Sequence, residues 1–149
     1  MKSLNYFMNI ALNEAKKAFK KNEIPIGAII VHNEQIITKA HNLTIKNNNS
    51  LKHAELIVIE KALKKLKAKT LEDCTIFITC EPCIMCCGAI LLSGISNIVY
   101  GCFEPKYGAA GSKLNILENN PYNKKIKIIS GIMEDEAKKL LQEFFLNKR

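Results

Sequence analysis

Two short groups of residues have the types and spacing of a metal site. Cys83 and Cys86 stand three residues apart directly after Pro82, and His53 stands two residues before Glu55. Thiolates three residues apart at a helix start share one face, and Cys-x-x-Cys is a common half of a zinc site. The positive end of the helix dipole favours the thiolate form there. The sequence therefore predicts one Zn²⁺ per chain, held by His53, Cys83 and Cys86.

Glu55 gives this predicted metal site a chemical role. Three protein ligands leave the fourth tetrahedral position of zinc open to water, which is typical of a catalytic zinc. Water on zinc is acidic enough to supply hydroxide near neutral pH. The Glu55 carboxylate, two residues beyond His53, is placed to take and return the proton of that water. The pattern predicts attack of hydroxide on an electrophilic carbon.

Each group taken alone has a simpler explanation. A single His at a helix start is more often a cap or a surface residue, and a single Glu is usually exposed to solvent. A lone Cys-x-x-Cys is divided among zinc binding, redox chemistry and chance. Joined in the order His-x-Glu and then Pro-Cys-x-x-Cys, they match the signature of zinc-dependent deaminases, so the combined pattern favours the catalytic interpretation.

The elements that must position these residues can be predicted from periodicity. Apolar residues three and four apart indicate helices, and runs of β-branched and aromatic residues indicate strands. Ser3 is the predicted N-cap of the first helix, and Asn33-Glu34 is the predicted hairpin turn. The predicted helices are 4–19, 54–68, 83–92 and 134–146, with a short one around 114–117; the predicted strands are 26–31, 35–38, 75–79, 95–100 and 126–129.

The order of these elements predicts an α/β protein. Helices recur between strands, and the chain of 149 residues is long enough for one core. We expect a single three-layer domain over residues 1–149, with a central mixed five-stranded sheet flanked by helices on both faces. His53 and Cys83 each fall where a helix begins, which would bring the two groups together at helix N-termini.

Composition narrows the location and the partners. No run approaches the roughly 20 apolar residues of a membrane span, and no signal-peptide pattern is present, so we expect a cytoplasmic protein without a membrane partner. The six cysteines then indicate thiols, metal ligands or core residues rather than disulfides. We expect Cys74, Cys87 and Cys102 to be buried. A net charge of +8 favours a polyanionic partner.

Further motifs point to one family. Besides the two groups above, the chain carries Glu-Ile-Pro-Ile-Gly-Ala at 23–28, Asn42 after the predicted hairpin, Gly-Ala-Ala-Gly-Ser at 108–112 and Phe144-Phe145 near its end. With these motifs the chain resembles the cytidine/deoxycytidylate deaminase superfamily and, within it, the bacterial tRNA-specific adenosine deaminases. The resemblance covers nearly the whole chain and implies a cytidine deaminase-like fold.

This resemblance implies an activity and a set of partners. The expected reaction is hydrolytic deamination of adenosine to inosine at the wobble position of a tRNA anticodon, by zinc-bound hydroxide with Glu55 as the proton shuttle. A homodimer that binds a tRNA anticodon loop is expected, and no nucleotide cofactor. The positions that match substrate contacts in the family are Asn42, Ile26, Ala54, Glu104, Lys106 and Phe145.

Some of these positions, and the function itself, have alternatives. Asn42 could be a turn residue, Glu104 and Lys106 could lie in a solvated loop, and Phe145 could be ordinary helix packing. A deaminase of a free base, nucleoside or nucleotide, such as guanine, cytidine or deoxycytidylate, would share the same zinc core. A non-catalytic zinc module that binds RNA would need a fourth ligand and would have no use for Glu55.

Overall fold

A computed structural model describes residues 1–148 and has the predicted order of helices and strands. The elements are α1 (Leu4–Lys20), β1 (Gly27–His32), β2 (Gln35–His41), α2 (Ala54–Leu66), β3 (Cys74–Cys80), α3 (Ile84–Ser93), β4 (Asn97–Cys102), β5 (Lys127–Ile129) and α4 (Glu134–Leu146). Ser3 caps α1 as predicted, since its hydroxyl accepts a hydrogen bond from the Tyr6 N–H at 3.0 Å.

The five strands form one mixed sheet in the order β2-β1-β3-β4-β5. β1 is antiparallel to β2 and β3, whereas the β3–β4 and β4–β5 pairs are parallel. The β1–β2 turn is formed by Asn33 and Glu34, both with positive φ, at 50° and 62°. Two left-handed residues are what a two-residue type I′ hairpin requires. The predicted mixed five-stranded sheet and its hairpin are confirmed.

Helices cover both faces of the sheet and make three layers. On one face, α2 and α3 pack against the sheet through Val58, Ile59, Ile90 and Leu91. On the other face, α1 and α4 pack through a second apolar cluster that includes Phe7, Met8, Leu12 and Ala137. The central strands β1 and β3 are apolar on both faces, as expected for a sheet buried under helices: Ile30 and Ile76 belong to the first cluster and Ile29 and Phe77 to the second.

The sheet places the two chemical groups near each other. Cys80 and Cys102 are the last residues of the parallel strands β3 and β4 and are register partners. The chain leaves β3 through Glu81 and Pro82 to begin α3 next to Cys83. His53 precedes α2 on the same face of the sheet as α3. Ligand sites at the carboxyl ends of parallel strands are common in α/β proteins.

The segment between β4 and β5 differs from the prediction. The short helix expected around Leu114 to Leu117 is absent: Asn115 forms an isolated β-bridge with Ala110, and a turn begins at Ile116. The loop bonds across itself: the Gly111 N–H donates to the Leu114 carbonyl and the Ile116 N–H to the Ala109 carbonyl. Leu117 is fully buried against the sheet, so packing of the loop overrides the local helical pattern.

The other differences are in element ends. β2 continues to His41, three residues beyond the predicted end, because its pairing with β1 extends to Gly27. α2 ends at Leu66, two residues early, where Lys67 adopts a left-handed conformation. Among residues 1–148, every helix is too short or too polar to cross a lipid bilayer.

Candidate metal centre and substrate cavity

His53, Cys83 and Cys86 converge at the starts of two helices. His53 is the N-cap of α2 and Cys83 the N-cap of α3, and neither side chain makes a capping hydrogen bond. His53 Nδ1 lies 3.7 Å from Cys83 Sγ and 3.6 Å from Cys86 Sγ. The three ligand atoms all lie within 4.8 Å of one another. Both sulfur atoms face the same ring nitrogen, so Nδ1 is the atom presented to a metal.

These distances fit a tetrahedral zinc ion. Zinc–nitrogen and zinc–sulfur bonds of the usual lengths, at a tetrahedral angle, separate nitrogen from sulfur by about 3.6 Å. The observed separations from His53 Nδ1 agree with that value. The donor set is also the one that zinc prefers, with two thiolates to balance its charge. The residues present therefore fit a three-ligand zinc site of the catalytic type.

Glu55 lies beside this cluster in the first turn of α2. It is buried, and its Oε1 atom has no hydrogen-bond partner among residues 1–148. Burial raises the pKa of the Glu55 carboxyl, and the neighbouring His53 ring acts in the opposite direction. A buried polar atom without a partner costs about 1–3 kcal/mol, and such atoms occur where a reaction or a ligand uses them.

The thiols of Cys83 and Cys86 shift each other's pKa in opposite directions. A hydrogen bond with Cys86 lowers the pKa of Cys83 to about 4, and the same bond raises the pKa of Cys86. The hydrogen bond to Cys83 also raises the pKa of His53. Cysteine binds metal as the thiolate, so metal binding would release a thiol proton. The site is therefore poised to lose a proton when a cation enters.

A cavity of about 890 Å³ opens next to the cluster. The predicted residues that line it are Ile26, Asn42, His53, Cys83, Glu104 and Phe145. Loop and α4 residues complete its wall, among them Thr44, Phe103, Tyr107, Lys138 and Leu141. Cys86 is fully buried beneath this surface. The structure thus brings one metal-ligand set and most of the predicted substrate contacts to a single cavity.

Asn42 and Ala54 are linked by a hydrogen bond. Asn42 Oδ1 accepts from the Ala54 N–H at 2.7 Å, and both residues are buried. This bond fixes the Asn42 amide against the start of α2 and leaves its NH₂ group on the cavity side. Ala54 itself is fully buried and is not among the lining residues. Asn42 therefore lines the cavity with its carbonyl oxygen held by the Ala54 N–H.

Lys106 and Phe145 are placed differently from each other. Lys106 is exposed and does not line the cavity; its ammonium lies 5.1 Å from the centre of the Tyr107 ring. Phe145 is 54% exposed and lines the cavity, whereas Phe144 is buried and packs against Phe19. Of the two adjacent rings, Phe145 is the one available to a ligand.

Two buried carboxylates hold the loops beside the cavity, and the sequence did not reveal them. Glu81 accepts hydrogen bonds from the N–H groups of Glu104, Ala110 and Ser112 and from the Ser112 hydroxyl. Glu23 accepts from the N–H groups of Ile45 and Lys46 and from the Thr44 hydroxyl. In the sequence they are marked only by position. Glu23 begins the motif at 23–28, and Glu81 stands two residues before Cys83.

The fold and the site define the class of the protein. A three-layer α/β domain with a His-Cys-Cys cluster and a buried glutamate beside it is the arrangement of the zinc-dependent deaminases. The family model described as MafB19-like deaminase matches residues 1–149. The chain belongs to this deaminase family and groups within it with the tRNA-specific adenosine deaminases.

Individual relatives support that grouping. The tRNA-specific adenosine deaminase of Bacillus subtilis is 43% identical over 143 residues, which cover 96% of this chain and 89% of that protein. A solved structure from studies of A-to-I editing by tRNA:A34 deaminases is 34% identical, with a TM-score of 0.87, and the match covers 91% of this chain and 99% of that one. The guanine deaminase structure from Bacillus subtilis is more distant, with 30% identity, a TM-score of 0.67, and coverage of 83% of this chain and 78% of that one.

Proposed function

We propose that this protein hydrolyses the 6-amino group of adenosine at the wobble position of a tRNA anticodon and so forms inosine. The observation that carries the proposal is the buried Oε1 of Glu55, which has no hydrogen-bond partner among residues 1–148 and lies beside three candidate metal ligands at the wall of a large cavity. A structural metal site would have a fourth protein ligand and no unpaired carboxylate. The similarity to the Bacillus subtilis tRNA-specific adenosine deaminase indicates the substrate class.

In this proposal one Zn²⁺ per chain is held by His53, Cys83 and Cys86. When bound, it would supply a water molecule acidic enough to act as a nucleophile near neutral pH. Glu55 would take the proton of that water on its unpaired Oε1. It would then deliver the proton to N1 of adenine and assist departure of the amino group as ammonia.

The cavity residues would hold the base in place. The Asn42 NH₂ group can donate a hydrogen bond to an acceptor on the base, because its carbonyl oxygen is already fixed by Ala54. Ile26 contributes an apolar surface, and the exposed ring of Phe145 can stack on a nucleotide. Glu104 also lines the cavity, and Lys106, two residues further along the same loop, would contact the RNA backbone.

Several features favour RNA over a free base or nucleoside. The cavity is close to the upper end of small-molecule sites, about 1,000 Å³, and so has room for neighbouring nucleotides. The net charge of +8 suits a polyanion. The deaminated base must leave its stack, which costs least in an unpaired loop such as an anticodon loop. A cytoplasmic location follows from that substrate.

A homodimer is part of the proposal. The helix that carries the metal cysteines also exposes apolar side chains: Ile84 is 58% and Leu92 67% exposed, and Gly88 lies between them with open space beside it. Ile84 also lines the cavity. A second copy that covers this face of α3 would bury the exposed side chains and complete the cavity wall near Ile84.

One assay tests the reaction and its substrate together. Purified protein is incubated with an anticodon stem-loop RNA that carries adenosine at the wobble position, and the RNA is digested and analysed for nucleosides by mass spectrometry. Inosine is expected at that position, with negligible turnover of free adenosine, guanine or cytidine. Efficient turnover of a free base or nucleoside without inosine in the RNA would replace the proposal with a small-substrate deaminase, to which the likeness to guanine deaminase would then point.

A further inference from the structure

Cys80 and Cys102 form a pair of free thiols that the proposed reaction does not use. They are register partners at the ends of the parallel strands β3 and β4, and neither is in a disulfide. Neighbouring strands lie about 4.8 Å apart, which is within the Cα separation of 4.4–6.8 Å that a disulfide allows. Both side chains point into the same apolar cluster, beneath α1 and α4. The two sulfur atoms therefore face each other without any need for the backbone to move far.

This pair can be reached from the substrate cavity. Cys80 and Cys102 both line the cavity, although little of either side chain is exposed. A small uncharged molecule that enters the cavity can therefore contact their sulfur atoms. Cys74 provides a contrast, since it is also a free and buried thiol but lies at the other end of β3, away from the cavity lining.

The two thiols are not equivalent. The hydrogen bond between them lowers the pKa of Cys102 and raises the pKa of Cys80. This direction favours Cys102 as the sulfur that attacks first, with Cys80 as its neighbour in register. Two neighbouring thiols in the wall of an open cavity can be oxidised by a small peroxide, because the second thiol can resolve the oxidised form of the first.

We propose that Cys80 and Cys102 are a modification site at which peroxides form a disulfide in the wall of the substrate cavity. The Cys102 thiolate attacks one oxygen of hydrogen peroxide, the O–O bond breaks, and the other oxygen leaves as water after taking up a proton. Cys102 is then a sulfenic acid. The Cys80 sulfur displaces its hydroxyl group, which leaves as a second water. Two thiols and one peroxide give one disulfide and two waters, and the two electrons pass from sulfur to peroxide.

The modification would alter the substrate cavity. Glu81, Pro82 and Cys83 follow Cys80 directly, and Phe103 and Glu104 follow Cys102. Drawing the two sulfur atoms to bonding distance would need only a small shift of the two strand ends, but that shift would also move Cys83, Phe103 and Glu104, which line the same cavity. We expect reversible loss of most deaminase activity, a consequence that rests on the proposed function. Formation of the disulfide itself does not depend on the proposed function.

The test uses the zinc-loaded holoenzyme and reads the bond directly. After peroxide treatment, free thiols are alkylated and the protein is digested without reduction. Trypsin is unsuitable because no Lys or Arg lies between Lys69 and Lys106, so all six cysteines stay on one peptide. Chymotrypsin should release Cys102 on the peptide 101–103, linked to a peptide that contains Cys80. Zinc content is measured in parallel, and dithiothreitol should restore activity.

Matched variants identify the two cysteines that form the disulfide. Cys80→Ala and Cys102→Ala should each abolish the linked peptide, and each variant's activity after peroxide is compared with its own untreated activity. Cys74→Ala should form the bond as the original protein does. The proposal is overturned if Cys80 and Cys102 stay fully alkylatable at peroxide levels that inactivate the enzyme, or if the disulfide instead joins Cys83 to Cys86 with release of zinc. If the Cys80–Cys102 disulfide forms and inosine formation is unchanged, the expected effect of the disulfide on the cavity is wrong.

Discussion

The carboxyl group of Glu55 allows metal binding and proton transfer to be separated. Glu55→Gln keeps the size of the side chain and touches no metal ligand, so zinc should remain at about one ion per chain. The amide cannot accept and return a proton, and loss of a general acid/base typically lowers the rate about 10²- to 10⁴-fold. Inosine formation under single-turnover conditions and elemental analysis measure the two effects. Near-normal turnover would mean that another group moves the proton.

The adjacent cysteines Cys86 and Cys87 provide a matched comparison. Cys86 Sγ lies 3.6 Å from His53 Nδ1, so Cys86→Ser should lower zinc content and activity together. Cys87 is fully buried in the apolar cluster under α2 and α3, and its thiol points to the Pro82 carbonyl instead. Cys87→Ala should keep the metal and lower the free energy of unfolding by about 1 kcal/mol, as loss of one buried methyl group does.

Elemental analysis and denaturant unfolding check both substitutions. Full zinc in Cys86→Ser, or loss of zinc in Cys87→Ala, would contradict the ligand assignment. The burial of Cys87, like that of Cys74 and Cys102, agrees with the expectation from the sequence that these cysteines are core residues.

The meeting of the candidate metal ligands could be predicted from the sequence because these residues have distinctive types at fixed spacing. His53, Cys83 and Cys86 do converge as expected. Glu23 and Glu81 could not be recognised in the same way, since a glutamate is usually exposed and no local pattern shows that its carboxylate accepts backbone N–H groups from a distant loop. The hydrogen bonds of Glu81 span 23 to 31 residues of sequence.

At the level of elements, the loop after β4 depends on Glu81. This carboxylate binds the loop at Glu104, Ala110 and Ser112, and Gly108 passes so close that an added Cβ would overlap the Glu81 carboxyl group. In Glu81→Gln, one acceptor oxygen becomes an NH₂ group that faces N–H donors. We expect the loop to loosen, the KM for anticodon RNA to rise about tenfold, and zinc content to stay unchanged.

Steady-state kinetics on RNA, with zinc content measured on the same samples, tests the role of Glu81. Glu118→Gln is the matched control, because Glu118 is exposed and bonds only to Asn115 nearby. If Glu81→Gln lost zinc, or lowered kcat with no change in KM, Glu81 would act on the metal cysteines and not on the loop. Restoration of KM in Glu81→Asp would support positioning by the carboxylate.

Element types were predictable where periodicity was strong, and their ends were not. The apolar stripe of α1 and the β-branched run of β3 predicted the ends of both elements to within one residue. The loop at 103–120 has no clear period, and its turns depend on long-range contacts: the Ala109 N–H donates to the Pro82 carbonyl, and Cys83 bridges to Gly108. Such contacts are set by the fold, so a local pattern could not foresee them.

For the molecule as a whole, the exposed apolar face of α3 predicts that two copies of the chain associate. Leu92→Asp places a charge on this apolar face at a position that is 67% exposed, so the chain should fold normally. If α3 forms the contact between two copies, the variant should shift toward monomer and lose activity at low protein concentration. Tyr122→Asp, at another exposed position, is the control. Sedimentation that shows a fully active monomer of the original protein would remove the dimer from the proposal.

The positive charge of the protein should control its affinity for the RNA and not the rate of the chemical step. Affinity for a single-stranded loop falls with salt, with a slope in log–log form of about −0.7 for each phosphate neutralised. Lys138 lines the cavity from α4, whereas Lys61 lies on α2 across the sheet. Lys138→Ala should therefore make the salt slope shallower by about 0.7 if it contacts a phosphate, and Lys61→Ala should leave the slope unchanged. Fluorescence anisotropy with a labelled anticodon stem-loop over a range of salt concentrations measures both. Binding that did not weaken with salt, together with equal slopes for the two variants, would mean that the cavity recognises a small uncharged substrate and that the positive charge of the chain plays no part in its selection.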